Sequence, residues 1–276
     1  MADRFNLVFY PLNYSELFNL WNRYPDAVPY AGGTAIVRGQ GRQIFELPDI
    51  ILSLEKMEEM HRVSRSERYI EIGAMVKLSQ ILNLGKIVPA ALRRCLENIA
   101  GVQLRNIATI GGNICAKGGC LDCTAALTAL DAQFELRNAQ SSHWITAPRF
   151  FATPGTSAIK NNELLSRIRI PLDDWDYSAY QKITGQAVLS KVVVFLARTQ
   201  KDILSDIRIV YKTESIWRNK NGESLLIGKY LPLNHKIAAD FIASWEAYLS
   251  GINNVDELSQ KKLINFIESN IYNLSE

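Results

Sequence analysis

Histidine is scarce in this chain of 276 residues: there are three, His61, His143 and His235, far apart in sequence. None has a partner at metal-ligand or catalytic-triad spacing, so each reads as a surface or capping residue. No nucleophile–base–acid pattern accompanies them, which leaves hydrolytic and acyl-transfer chemistry without machinery. Cysteine is scarce too. Four, Cys95, Cys115, Cys120 and Cys123, are too few for a disulfide framework and fit a cytoplasmic protein with reduced thiols. Met1–Pro11 show no basic leader followed by a long apolar run, and no later stretch approaches the ~20 apolar residues of a membrane helix. Charge of one sign is also missing. Lysine and arginine number 31 against 28 aspartates and glutamates, a formal net charge of +3 spread along the chain. A phosphate backbone demands a clustered basic stripe, so nucleic acid is not an expected partner. There is no low-complexity tract and no internal repeat.

What is present is a mixed pattern of helical and strand periodicities. Asn13–Tyr24 reads as a helix, with Leu17, Leu20, Trp21 and Tyr24 on one face and Asn13 with Glu16 as an N-cap pattern. Short apolar runs at Ala27–Ala31 and Asp49–Leu54 flank a Gly32-Gly33 turn, a βαβ-like unit with the glycine turn after its first strand. A second block follows, with a strand at Tyr69–Gly73, a short helix at Leu78–Leu82, and a helix from Pro89 lined by Leu92, Cys95, Leu96 and Ile99. After a polar, glycine-rich passage (Gln103–Cys123) come a helical Thr124–Ala129 and strands at Gln133–Leu136 and Leu164–Ile170. Tyr177–Thr184, Val192–Ala197 and Ile207–Lys212 read as an antiparallel meander. Two amphipathic helices close the chain, one lined by Ala238, Phe241, Ile242, Trp245 and Leu249, the other by Leu263, Phe266, Ile267 and Ile271. The fold class is α+β.

Two passages could carry chemistry: Tyr30-Ala31-Gly32-Gly33-Thr34, and Arg105-Asn106-Ile107-Ala108-Thr109-Ile110-Gly111-Gly112-Asn113. Paired glycines let backbone amides approach an anion closely, because no Cβ intervenes and positive φ costs little. Successive amides form a concavity suited to phosphate, and a neighbouring Thr or Asn adds a donor. Two such turns could grip a pyrophosphate from both sides. Taken singly, each is equally a tight connection. The spaced three-glycine dinucleotide fingerprint and the Gly-Lys-Ser/Thr ending of a phosphate-binding loop are both missing.

Taken together the passages resemble a family: the FAD-binding (medium) subunit or domain of molybdenum hydroxylases of the xanthine dehydrogenase and carbon monoxide dehydrogenase type. The resemblance is carried by Ala31-Gly32-Gly33-Thr34, Ile72-Gly73-Ala74, Gln103–Asn113, Asp122, Ala129–Ala132, Glu163-Leu164-Leu165, Ile170-Pro171 and Lys182, in family order, and more loosely by Leu226-Ile227-Gly228. It implies a two-subdomain FAD-binding fold, residues 1–56 and 57–175, followed by a sheet-plus-helix C-terminal domain, 176–276. It implies that Tyr30, Ala31, Gly32, Gly33, Thr34, Ala35, Ile36 and Val37 wrap the FAD pyrophosphate, and that Thr109, Gly111, Gly112 and Asn113 close on it. Asp122 sits where the family has an acidic nucleotide contact. Leu165 and Lys182 sit where it has contacts near the isoalloxazine, where a lysine favours the anionic reduced flavin. The chain departs from the family pattern at Ala35, usually Asp; after Lys182, where an Arg-Arg pair is usual; and at Ile99, aromatic in mammalian-type relatives.

The implied role is electron carriage. A molybdopterin-binding subunit oxidises the substrate, [2Fe-2S] clusters of a small subunit relay the electrons, and this FAD passes them to NAD+ or another acceptor. With neither molybdopterin nor ferredoxin-like motifs in the chain, it should act within a complex. Two rivals stay open, a scaffold or assembly subunit that has lost FAD and a stand-alone flavin oxidoreductase, although the chain offers no substrate acid or base for the latter. Cys115-x4-Cys120-x2-Cys123 also reads two ways, as a plant-type iron–sulfur ligand set or as free cysteines lining the flavin loop. Zinc is disfavoured, with no histidine near.

Overall fold

The computed structural model describes residues 6–40, 47–116, 122–152, 158–183, 191–252 and 255–274. The chain begins with β1 (Leu7–Phe9), α1 (Tyr14–Arg23), β2 (Val28–Tyr30), α2 (Thr34–Gln40) and β3 (Ile50–Ser53). The three strands pair in parallel in the order β1-β3-β2. Asn13 caps α1 by accepting from Glu16 N at 2.9 Å, and the Glu16 carboxylate reaches back to Leu12 N at 2.8 Å. Leu17, Phe18 and Trp21 bury the inner face. The glycine turn follows the second strand, not the first as the sequence pattern indicates. Leu7 and Val8 are exposed, so β1 shows no in–out alternation.

The middle of the chain runs β4 (Val63–Arg65), β5 (Tyr69–Gly73), α3 (Leu78–Asn83), α4 (Ala90–Glu97), α5 (Val102–Arg105), α6 (Ile110–Cys115), α7 (Cys123–Ala129), β6 (Gln133–Arg137), β7 (Ser142–Thr146), α8 (Ala147–Phe150) and β8 (Leu164–Pro171). The five strands form an antiparallel sheet ordered β4-β5-β8-β6-β7. Ile70, Ile72, Phe134, Leu136, Ile168 and Ile170 fill the main core from it. On alternate residues Glu71 binds Arg167 at 2.9 Å and Arg169 at 2.7 Å, and Arg169 stacks on Trp144 at 4.0 Å. Every residue of α7 is buried, which suits its all-apolar and threonine sequence.

The remainder is β9 (Tyr177–Ile183), β10 (Lys191–Gln200), β11 (Ile203–Lys212), β12 (Ile216–Trp217), α9 (Lys220–Leu226), α10 (His235–Ser250) and α11 (Glu257–Asn273). The antiparallel sheet is ordered β12-β11-β10-β9. β10 is buried on both faces, which explains its unbroken apolar run. Val192, Val194 and Leu196 belong to the main core with α7. Val193, Phe195 and Ala197 join a second core with Phe241, Trp245, Leu263 and Ile267 of α10 and α11. The four-stranded sheet is thus clamped between α7 and the C-terminal helix pair. Lys201 and Asp202, both at positive φ, make the tight β10–β11 turn.

Candidate functional site

The first glycine turn connects β2 to α2 and lies directly against the second. A Cβ on Gly32 would stand 2.2 Å from the carbonyl oxygen of Ile107, a backbone atom that cannot step aside. Gly33 takes φ +69°, and a Cβ there would meet the Tyr30 hydroxyl at 2.0 Å. One glycine is therefore required by close approach and the other by backbone sign. Ile36 N and Val37 N both donate to Gly33 O, at 3.1 and 3.2 Å. Among the described residues no backbone acceptor meets the amides of Gly33, Thr34 and Ala35, which leaves a run of N–H groups at the turn.

In the second turn Thr109 caps α6, its hydroxyl accepting from Gly112 N at 3.1 Å. Gly111 has a different task from the one its position in the motif suggests. Its amide is already bonded to Ala74 O at 2.9 Å, and a Cβ on it would lie 2.6 Å from the Ala74 methyl. It lets α6 back onto the end of β5. Gly112 faces the first turn, with its Cβ position 3.9 Å from the Ala31 methyl. Asn113 accepts from Cys123 N at 3.4 Å, tying α6 to α7.

At the start of α7, Asp122 is 6% exposed and its carboxylate accepts from Lys182 Nζ of β9 at 2.8 Å. These two residues are 60 positions apart, and no spacing rule joins them. Cys95 of α4 donates through Sγ to Asp122 O at 3.2 Å, and Arg94 donates to Ser178 O of β9. The helix α4 thus ties both partners together. The contact with Cys95, together with burial, holds the Cys123 thiol well above its ordinary range, and burial does the same for the Tyr180 hydroxyl. Burial pushes the Cys115 thiol up to about 12. Cys120 lies outside the described residues, and among those described no three metal-ligating side chains gather.

Leu165 is buried in β8 opposite Leu136. Ile99 packs half-buried against the main core. Its carbonyl accepts from Arg105 Nη1 at 2.9 Å, and that nitrogen also bonds Ala100 O at 2.6 Å. Arg105, which the sequence marks only as part of the glycine-turn motif, thus holds the α4–α5 connection, where Ala100 has φ 46°. A groove of about 410 Å³ between α1 and the β6–β7 turn, lined by Tyr14, Arg137, Asn138 and Gln140 among others, shares no residue with this constellation. No helix among the described residues is long and apolar enough to cross a membrane.

The chain has clear relatives. Residues 3–173 match the family described as the FAD binding domain in molybdopterin dehydrogenase. The glyceraldehyde dehydrogenase medium chain of Sulfolobus acidocaldarius is 29% identical over 210 residues, 74% of each chain. The nicotine 6-hydroxylase medium subunit of Paenarthrobacter nicotinovorans is 25% identical over 255 residues, 90% of this chain and 89% of that one. Quinoline 2-oxidoreductase from Pseudomonas putida 86 shares the fold, with a TM-score of 0.80 over 98% of this chain and 95% of that chain at 17% identity. The chain belongs to the family of FAD-binding domains of molybdopterin dehydrogenases, as the FAD-carrying, medium-chain kind of oxidoreductase subunit.

Proposed function

We propose that this chain takes electrons from the [2Fe-2S] clusters of a partner subunit into FAD and passes them to NAD+ or another acceptor. A separate molybdopterin-binding subunit would oxidise the substrate. The observation that carries the reading is the apposition of the two glycine turns, with Gly32 bare against Ile107 O and a row of amides at Gly33–Ala35. A cradle that a single Cβ would fill fits a pyrophosphate approaching along the backbone. The names of the relatives, medium chain and medium subunit, support membership of a complex.

In this reading Tyr30–Val37 hold the pyrophosphate through backbone amides. Ala35 supplies its amide and no side-chain donor. Thr109, Gly112 and Asn113 close the second side, and Gly111 serves by packing. Asp122 contacts the nucleotide, Leu165 and Lys182 lie near the isoalloxazine, and Ile99 is a further cofactor contact. Bound FAD supplies the reversible electron storage that the protein side chains lack. The division into residues 1–56, 57–175 and 176–276 is part of the same proposal. The test is a visible spectrum of the purified full chain, taken before and after incubation with FAD and desalting. Flavin bands that survive support the reading, and a chain that stays colourless overturns it. Bleaching of those bands by NADH under anaerobic conditions supports a nicotinamide acceptor, and no bleaching points to another.

A further inference from the structure

We infer that Asp122 is a positioning residue that sets the reduction potential of the flavin by partly neutralising Lys182. This rests on the FAD reading above and goes beyond it, because the structure joins two residues to each other that the family resemblance assigns only to separate contacts with the cofactor.

The Lys182 side chain is about one-third exposed and that of Asp122 is 9% exposed, so the pair lies at the edge of the interior with the carboxylate on the dry side. Asp122 is not free to swing. Its carbonyl accepts from Cys95 Sγ, and its chain runs into the fully buried α7. Lys182 is fixed by β9, where its register partner is Val192 of β10. Cys123 of α7 and Tyr180 of β9 itself are held in their neutral forms, and the Arg94 guanidinium of α4 is bonded to Ser178 O.

Two-electron reduction of a flavin at neutral pH leaves negative charge at the pyrimidine edge. A lysine there binds the reduced form more tightly than the oxidised form and raises the potential. A carboxylate 2.8 Å from the same ammonium offsets that preference. Removing Asp122's charge should therefore raise the potential, removing Lys182's should lower it, and the first effect should vanish without the second residue.

The experiment is a two-electron redox titration of the FAD-reconstituted full chain, with the equilibrium FAD affinity measured alongside. It compares wild type, Asp122→Asn, Lys182→Met and the double variant. Asp122→Asn is expected to favour the reduced flavin about tenfold, an upward shift of about 30 mV for a two-electron couple. Lys182→Met should shift it downward, and on that background Asp122→Asn should have no further effect. An unchanged or lowered potential in Asp122→Asn, or the same shift with and without Lys182, overturns the inference while leaving FAD binding intact. If Asp122→Asn does not fold, a rise or no change in Lys182→Met overturns it from the other partner. A wild-type chain that binds no FAD overturns this inference and the FAD reading together, and is told apart by its colourless spectrum.

Discussion

Arg208 of β11 donates through Nη1 to the carbonyl oxygen of Ala129, the last residue of α7, at 2.8 Å. The same guanidinium pairs with Asp131 at 2.6 Å and Asp206 at 3.1 Å, and it lies over the Trp175 ring at 4.8 Å. A cation from the C-terminal sheet thus satisfies the end of the buried helix, where carbonyls are otherwise without partners. Its side chain is 12% exposed. Arg208→Ala should destabilise the folded chain by about 2 kcal/mol or more, because it leaves a buried carbonyl unpaired. Arg208→Lys should recover only part of this, since an ammonium cannot reproduce the fork. Urea unfolding measures both, and a loss under about 0.5 kcal/mol would count Arg208 as an ordinary surface residue.

The glycine cradle can be tested without touching any charge. Gly32→Ala places a methyl against Ile107 O and must push the two turns apart. FAD affinity should weaken by at least about tenfold, roughly 1.4 kcal/mol, with the far-ultraviolet circular dichroism unchanged. Gly85→Ala is the control for handling. Unlike Gly32 it is a positive-φ glycine, so its replacement strains the backbone, but its Cβ position has open space, and it should leave affinity intact. Equal loss in both variants would sink the cradle.

Thr109→Val removes the hydroxyl that accepts from Gly112 N. The cost should be about 1 kcal/mol of stability together with weaker FAD retention, and Thr109→Ser should restore both. Thermal melts with and without FAD separate the two effects. A valine variant indistinguishable from wild type would show that the cap contributes nothing.

Asp256 starts α11 by accepting from Ser259 N at 2.9 Å, and its carboxylate also binds Lys191 and the Ser259 hydroxyl. Lys191 first, then Ser259, holds its carboxyl well below the usual carboxylate range. A value depressed in the folded state gives stabilisation that is complete above the unfolded value, near pH 4. It is lost as pH falls through the lower folded value. The stability gap between wild type and Asp256→Asn should therefore be constant from pH 7 to about pH 5 and narrow below about pH 4. With that side chain 55% exposed the gap is small and shrinks with added salt. A gap that keeps its size into strong acid would assign the effect to helix capping geometry alone.

Much of this fold could be read from the chain. The Asn13–Glu16 pattern, the strands Tyr69–Gly73 and Leu164–Ile170, and the two closing helices follow directly from capping and periodicity. Other elements carried no local signal. Ser142–Thr146 is a mostly exposed edge strand with little apolar alternation. Lys220–Leu226 contains Gly222 in mid-helix, and what holds it is a buried carboxylate, Glu223, accepting from Ile209 N at 2.8 Å. In the site, motif residues were legible one at a time while their relations were not. Nothing in the Gly111-Gly112 pair says that one glycine exists to meet Ala74 and the other to face Ala31. Nor does the sequence say that Asp122 and Lys182 meet, because that contact depends on β9 docking on α4, which in turn packs against α7.

The family match ends at residue 173, but the main apolar core does not: Val192, Val194, Leu196 and Val210 lie within it. The strand that carries Lys182 is held by the same docking. Cofactor retention and global folding are therefore linked equilibria. Any fluctuation that peels the C-terminal sheet from α7 also separates Lys182 from Asp122. Bound FAD must in turn hold that sheet down, stabilising residues far from the ligand by RT ln(1 + L/Kd), where L is the free FAD concentration. The holoprotein should consequently melt in one transition, with a midpoint that climbs with FAD concentration even when unfolding is followed at Trp245, in the second core.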